Sequence, residues 1–165
     1  FRAPTFSLAK DTSWAIDCLI KYNYQYDSSI VPAKTSLYGE LNAEISPYRI
    51  SVNSINCDDS NAKIMEYPIM VTEFLGKKIP AGGGFYLRML PMKIIENSIR
   101  NYEIKHIPAT FYLHSWELTP EYMPKLKLPI KEKFITYHNL EKAMEKMSSL
   151  LQKFEFTSFE RYISM

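Results

Sequence analysis

Residues 109–117 read Ala109-Thr110-Phe111-Tyr112-Leu113-His114-Ser115-Trp116-Glu117, a short, largely apolar run that turns abruptly polar at His114. A run of this length without alternation suits a strand covered on both faces, as in a parallel sheet. His114 then stands at the strand's C-terminal end, where α/β folds gather their active sites. Working outward, Pro91 fits the first position of a helix whose buried stripe is Met92, Ile95, Ile99 and Tyr102 and which ends near Ile104. Residues 64–75 are rich in β-branched and apolar side chains, but Pro68 removes a ladder donor and argues for an edge strand or a bulge. Gly82, Gly83 and Gly84 read as a tight turn. Asn139 can cap a last helix with an apolar face of Leu140, Ala143, Met144, Met147, Leu150 and Leu151, before residues 154–159 close as a strand or tail. Near the start, residues 11–23 predict a helix with Trp14, Ala15, Cys18, Leu19 and Tyr22 on one face. Asp11 or Thr12 would begin that helix and Asn23 would stop it in a left-handed conformation. The stretch between, residues 24–59, is irregular and punctuated by Pro32, Gly39 and Pro47. Strands alternating with helices predict an α/β class.

A chain of 165 residues that is 46% hydrophobic can bury one sizeable core, so a single domain over 1–165 is expected. The net charge is only +2, which leaves no basic footprint for a nucleic-acid partner. Cys18 and Cys57 lie far apart with no Cys or His at ligand spacing, so neither a disulfide framework nor a zinc finger is indicated. No apolar stretch approaches the ~20 residues that span a bilayer. A reduced compartment is compatible with these features, and a cytoplasmic location is favoured over the cell surface. The chain opens on Phe1 without a signal-peptide pattern, so further residues are expected upstream.

Several side chains are candidates for chemistry. An imidazole at the His114 position can act as a general acid near neutral pH; its alternative is a histidine merely hydrogen-bonded at a strand end. Arg2, in the apolar Phe1 to Phe6 segment, requires a partner if buried, most simply a carboxylate, and is otherwise an exposed terminal arginine. Asp27 can hold the His114 ring in one tautomer by accepting its other proton, or can serve the ordinary turn chemistry of Asp-Ser-Ser. The glycines are followed by no Lys-Ser/Thr pair, so they do not form a phosphate-binding loop, although Gly83 and Gly84 can let backbone approach a ligand. Trp116, Trp14 and the 12 tyrosines offer flat faces for sugar rings as well as filling for a core. His106 and His138 receive no role.

Four segments occur together in a telling order: Phe1-Arg2-Ala3-Pro4-Thr5-Phe6-Ser7, Tyr26-Asp27-Ser28-Ser29-Ile30, Pro80-Ala81-Gly82-Gly83-Gly84 with Arg88, and Phe111-Tyr112-Leu113-His114-Ser115-Trp116-Glu117. In this the chain resembles the C-terminal portion of polysaccharide deacetylases, most closely the branch with a C-terminal extension associated with exopolysaccharide clusters. The resemblance implies the C-terminal part of a distorted (β/α) barrel over 1–118, with inserted loops, and the extension over 119–165. It implies a carbohydrate deacetylase that hydrolyses the acetamido carbon–nitrogen bond of an N-acetylated polysaccharide or oligosaccharide. A divalent metal, usually zinc, on an Asp and two His would activate the water, and a neighbouring Asp would act as base. By the same resemblance Arg2 orients that base, His114 protonates the departing amine, and Asp27 completes the catalytic set. Gly83, Gly84, Arg88 and Trp116 are the candidate substrate-binding residues.

Two departures accompany the match. The family's Thr-Phe-Asp segment and His-x-x-x-His pair precede the arginine motif and are not found in these residues, so the metal ligands are expected on a missing N-terminal segment and the chain alone is expected to be inactive. Ser28 and Ser29 follow Asp27 where many members carry a tryptophan. The alternative reading is a non-catalytic carbohydrate-binding or assembly module on the same scaffold.

Overall fold

The computed structural model describes residues 1–164 and is a mixed α/β domain with two small sheets. Helix α1 (Ala15–Lys21) precedes strands β1 (Tyr26–Asp27), β2 (Tyr48–Ile50) and β3 (Ile64–Glu66), which pair in the order β1-β3-β2 with β1 parallel and β2 antiparallel to β3. Strands β4 (Val71–Phe74) and β5 (Lys77–Pro80) form a hairpin. Its turn places Leu75 and Gly76 at φ values of 49° and 73°, the two consecutive left-handed positions that suit the twist of paired strands. Helices α2 (Gly84–Met89), α3 (Met92–Ile104), α4 (Ser115–Leu118), α5 (Ile130–Tyr137), α6 (Ala143–Lys153) and α7 (Phe159–Ile163) complete the chain.

The run that predicted a parallel strand is extended and runs parallel to its neighbours, through the bridges Ile69↔Thr110 and Gly83↔Tyr112. It is not a full ladder, because its backbone bonds alternate between two separate segments: Met70 N–H donates to Thr110 O at 3.0 Å and Tyr112 N–H to Gly82 O at 2.6 Å. Gly82 makes this junction possible. A Cβ there would land on the Thr110 carbonyl and crowd the backbone of Met70. Pro68 lies where residues 64–75 break into two strands of different sheets, consistent with its missing donor.

Helix α3 matches its predicted stripe, with Ile95, Ile99 and Tyr102 buried against Met70, Ala81, Leu87 and Leu150. The first helix departs from prediction. Its buried face is Ile16 and Leu19, whereas Trp14, Cys18 and Tyr22 are exposed. A 3-10 turn at Lys10–Thr12 occupies the predicted beginning, so the α-helix starts four residues late and Trp14 lies before it. Asn23 does stop it, at a φ of 59°. In α6, Ala143 and Leu150 are buried and Met147 is partly so, but Met144 and Leu151 are exposed, which narrows the predicted apolar face. Asn139 stands before this helix with a left-handed φ of 50° and makes no side-chain cap. No helix among the described residues is long and apolar enough to cross a membrane.

Candidate functional site

Arg2 and His114 meet on Tyr112. The Arg2 guanidinium carbon lies 4.4 Å from the Tyr112 ring centroid, a cation–π distance, and the His114 ring packs edge-on at 4.8 Å from the same centroid. The expected carboxylate partner of Arg2 is replaced by Ser28: Arg2 Nε donates to Ser28 O at 2.8 Å and Nη2 to Ser28 Oγ at 2.7 Å. Burial pushes the guanidinium below its ordinary pKa, and Tyr112, Glu66 and Asp27 act in the opposite direction.

His114 is half-exposed at the N-terminus of α4, and both ring nitrogens have partners. Nδ1 faces Glu117 Oε2 at 3.3 Å and Nε2 faces Tyr112 Oη at 2.8 Å. The ring stacks on Trp116 at 5.3 Å. A carboxylate accepts only, so Nδ1 carries the proton, and Nε2 accepts from the Tyr112 hydroxyl when the ring is neutral. Glu117 Oε2 also accepts the His114 backbone N–H at 3.1 Å, as the third residue of a helix often does toward its cap.

The expectation that Asp27 holds the His114 ring is therefore corrected: Glu117 occupies that place. Asp27 is fully buried on β1, where its Oδ1 accepts from Ser29 Oγ at 2.8 Å. Sequence reasoning left Glu117 without a role, yet its spacing of three residues from His114 across a helix start was the available signal.

Arg88 was expected on the substrate surface and is instead 1% exposed. Its Nε and Nη2 contact Glu117 Oε1 at 3.2 and 3.1 Å, and its remaining donors reach backbone carbonyls in and just beyond α5. Gly84 is likewise internal. A Cβ on it would fall on the Glu117 carboxylate, so glycine lets that group approach the start of α2. Gly83 pairs its backbone with Tyr112, and Trp116 remains half-buried beside His114.

Asp27 and Glu66 are register partners on the parallel strands β1 and β3, both fully buried. Glu66 accepts from Ile30 N–H at 2.9 Å and from Ser29 N–H at 3.4 Å, while Asp27 Oδ2 has no partner. Burial first, and the Asp27 carboxylate second, push Glu66 well above the ordinary range. The pair lies beside the Ser28-Ser29 turn, which binds Arg2 and Ala3. A carboxyl whose native pKa is raised contributes stability that is complete below its unfolded value, about 4.3, and is lost as pH rises through the native one. Glu66→Gln removes the titrating proton and keeps an oxygen for the Ile30 N–H. Its stability relative to the parent is expected to grow with pH above about 4, approaching 1.4 kcal/mol per pH unit up to the native pKa. Urea unfolding from pH 4 to 8 measures this, and a pH-independent difference would mean that Glu66 is not the proton carrier.

A cavity of about 490 Å³ is lined by Phe111, Phe154, Phe156 and Phe159 among others and includes none of Arg2, Tyr112, His114 or Trp116. Its lining is mainly apolar, with Glu103 and Glu155 beside the aromatic rings. Among the described residues no group of three or more His, Cys, Asp or Glu side chains converges as a metal site.

A family model described as a domain of unknown function (DUF3473) matches residues 28–164. Comparison with curated proteins and with solved structures yields no significant match.

Proposed function

The chain belongs to the DUF3473 family, and from that membership we propose that it is part of a polysaccharide deacetylase in which His114 is the general acid. The family is associated in general with the C-terminal regions of polysaccharide deacetylases, which supports the reading. The observation that carries it is the convergence of Arg2 and His114 on Tyr112, with a buried Arg88–Glu117 pair behind the imidazole. In this reading residues 1–118 are the C-terminal part of a distorted (β/α) barrel and 119–165 are its extension.

The reaction is hydrolysis of an acetamido group on an N-acetylated sugar: water adds to the acetyl carbon, the carbon–nitrogen bond breaks, and acetate and an amine leave. The amine is a poor leaving group unless its nitrogen is protonated as the bond breaks. His114 gives the proton from Nε2 while its Nδ1–H donates to Glu117 Oε2, which fixes the orientation of the ring. The Tyr112 hydroxyl now at Nε2 marks the hydrogen-bonding position that the substrate nitrogen takes. Trp116, stacked on the imidazole, offers a flat face to the sugar ring. Arg2, fixed by Ser28 and Tyr112, presents a cation at the edge of the same site.

The side chains described above do not fit the divalent metal that the resemblance implies, and no step here runs through it. Zinc, if used, is held by ligands outside these residues. The intact protein is expected to bind a divalent metal and release acetate from N-acetylhexosamine oligomers, and the 165-residue chain alone to do neither. Acetate assay and metal analysis on both proteins check this. Stoichiometric zinc with turnover on the short chain would overturn the placement of ligands. Oligosaccharide binding by the intact protein without any acetate release, indifferent to chelator and to His114→Ala, would favour a binding module.

A further inference from the structure

Three helices are joined in series beside the site by cations at helix C-terminal ends. Helix ends leave carbonyls without intrahelical donors, and the local dipole favours a cation there. Arg88, in α2, serves the end of α5: its Nη1 donates to Thr136 O at 3.3 Å and His138 O at 2.8 Å, and its Nη2 to Ile135 O at 3.0 Å. Lys146, in α6, serves the end of α2, with its Nζ donating to Leu87 O at 2.9 Å, Arg88 O at 3.2 Å and Leu90 O at 2.9 Å. Asn139 Nδ2 adds a bond to Arg88 O at 3.3 Å. Arg88 is therefore held at its backbone by α6 and at its guanidinium by α5.

The geometry points to residues 130–153 as a positioning element for His114, acting through a clasp in which Lys146 fixes Arg88, Arg88 fixes Glu117, and Glu117 holds the imidazole in its Nδ1–H tautomer. The two oxygens of Glu117 divide the work. Oε1 takes the guanidinium at 3.1 Å, which leaves Oε2 aimed at His114. Arg88 and Lys146 touch no reacting atom, so both are positioning residues. The functional meaning rests on the acid role proposed for His114, whereas the tautomer lock stands without it.

The test is made on two readouts. In the 165-residue chain labelled with ¹⁵N-histidine, long-range ¹H–¹⁵N spectra at a pH where His114 is neutral report which ring nitrogen carries the proton. The parent is expected to show Nδ1–H. Lys146→Met, which spares the buried ion pair, is expected to lower the ratio of Nδ1–H to Nε2–H at least fivefold, with Lys146→Arg restoring it. Arg88→Met should abolish the preference; if it fails to fold, Lys146→Met decides. A folded Lys146→Met chain with the parental ratio overturns the inference. In the intact enzyme, Lys146→Met is expected to lower kcat about tenfold at unchanged KM. A tautomer shift without any change in kcat upholds the clasp and sinks the acid role of His114.

Discussion

Glu117→Ala is expected to destabilise the folded chain by about 3–5 kcal/mol, the cost of stranding one partner of a buried ion pair. The magnitude follows from what remains. Arg88 is 1% exposed, and its guanidinium cannot lose its proton to escape the cost of burial. The carbonyls of Ile135, Thr136 and His138 still accept from it, but they supply partial charges where a full anion stood. Glu117→Gln keeps an acceptor oxygen and should fall between parent and alanine. Replacing both partners together, as in Arg88→Met with Glu117→Leu, removes the two desolvated charges at once and should recover much of the loss. Urea unfolding of the four proteins measures these differences. A Glu117→Ala chain within about 1 kcal/mol of the parent, the usual worth of a surface pair, would mean that the Arg88–Glu117 pair is solvated in solution.

What the sequence made legible, and what it concealed, divides along the range of the interactions. The α3 stripe of Ile95, Ile99 and Tyr102 was readable because its period is local and its face meets a continuous core. The parallel direction of residues 109–113 and the place of His114 at their end followed from an unbroken apolar run. Arg88 could not be read the same way. A lone arginine after a glycine turn looks like a surface ligand, and its true partners, Glu117 and the carbonyls of residues 135–138, come from distant parts of the chain. The same range left Asp27 open between the His114 ring and the turn chemistry of Asp-Ser-Ser, and its bond from Ser29 Oγ follows the second. Asp27 belongs to β1, and only the parallel pairing with β3 shows that its neighbour is Glu66. For α1, the 3-10 turn displaced the helix start, and of the face chosen from periodicity Leu19 and Ala15 meet the core while Trp14, Cys18 and Tyr22 do not.

His114→Ala in the intact protein is expected to reduce kcat for acetate release by about 10²–10⁴, the usual worth of a positioned general acid, with KM within about threefold. This substitution separates chemistry from folding in a way that Glu117→Ala does not. The His114 side chain is 47% exposed, so its removal opens no sealed cavity, and Glu117 keeps Arg88 as its counterion. The loss should therefore appear in the transition state, where the departing nitrogen needs a proton, and not in the ground-state complex. Trp116→Ala provides the contrast, because a stacking face acts on bound sugar before any bond breaks and its removal should raise KM more than it lowers kcat. Steady-state kinetics on the two variants distinguish these patterns. If His114→Ala raised KM alone and left kcat intact, the imidazole would be a sugar-binding group, and the proton for the amine would have to come from elsewhere.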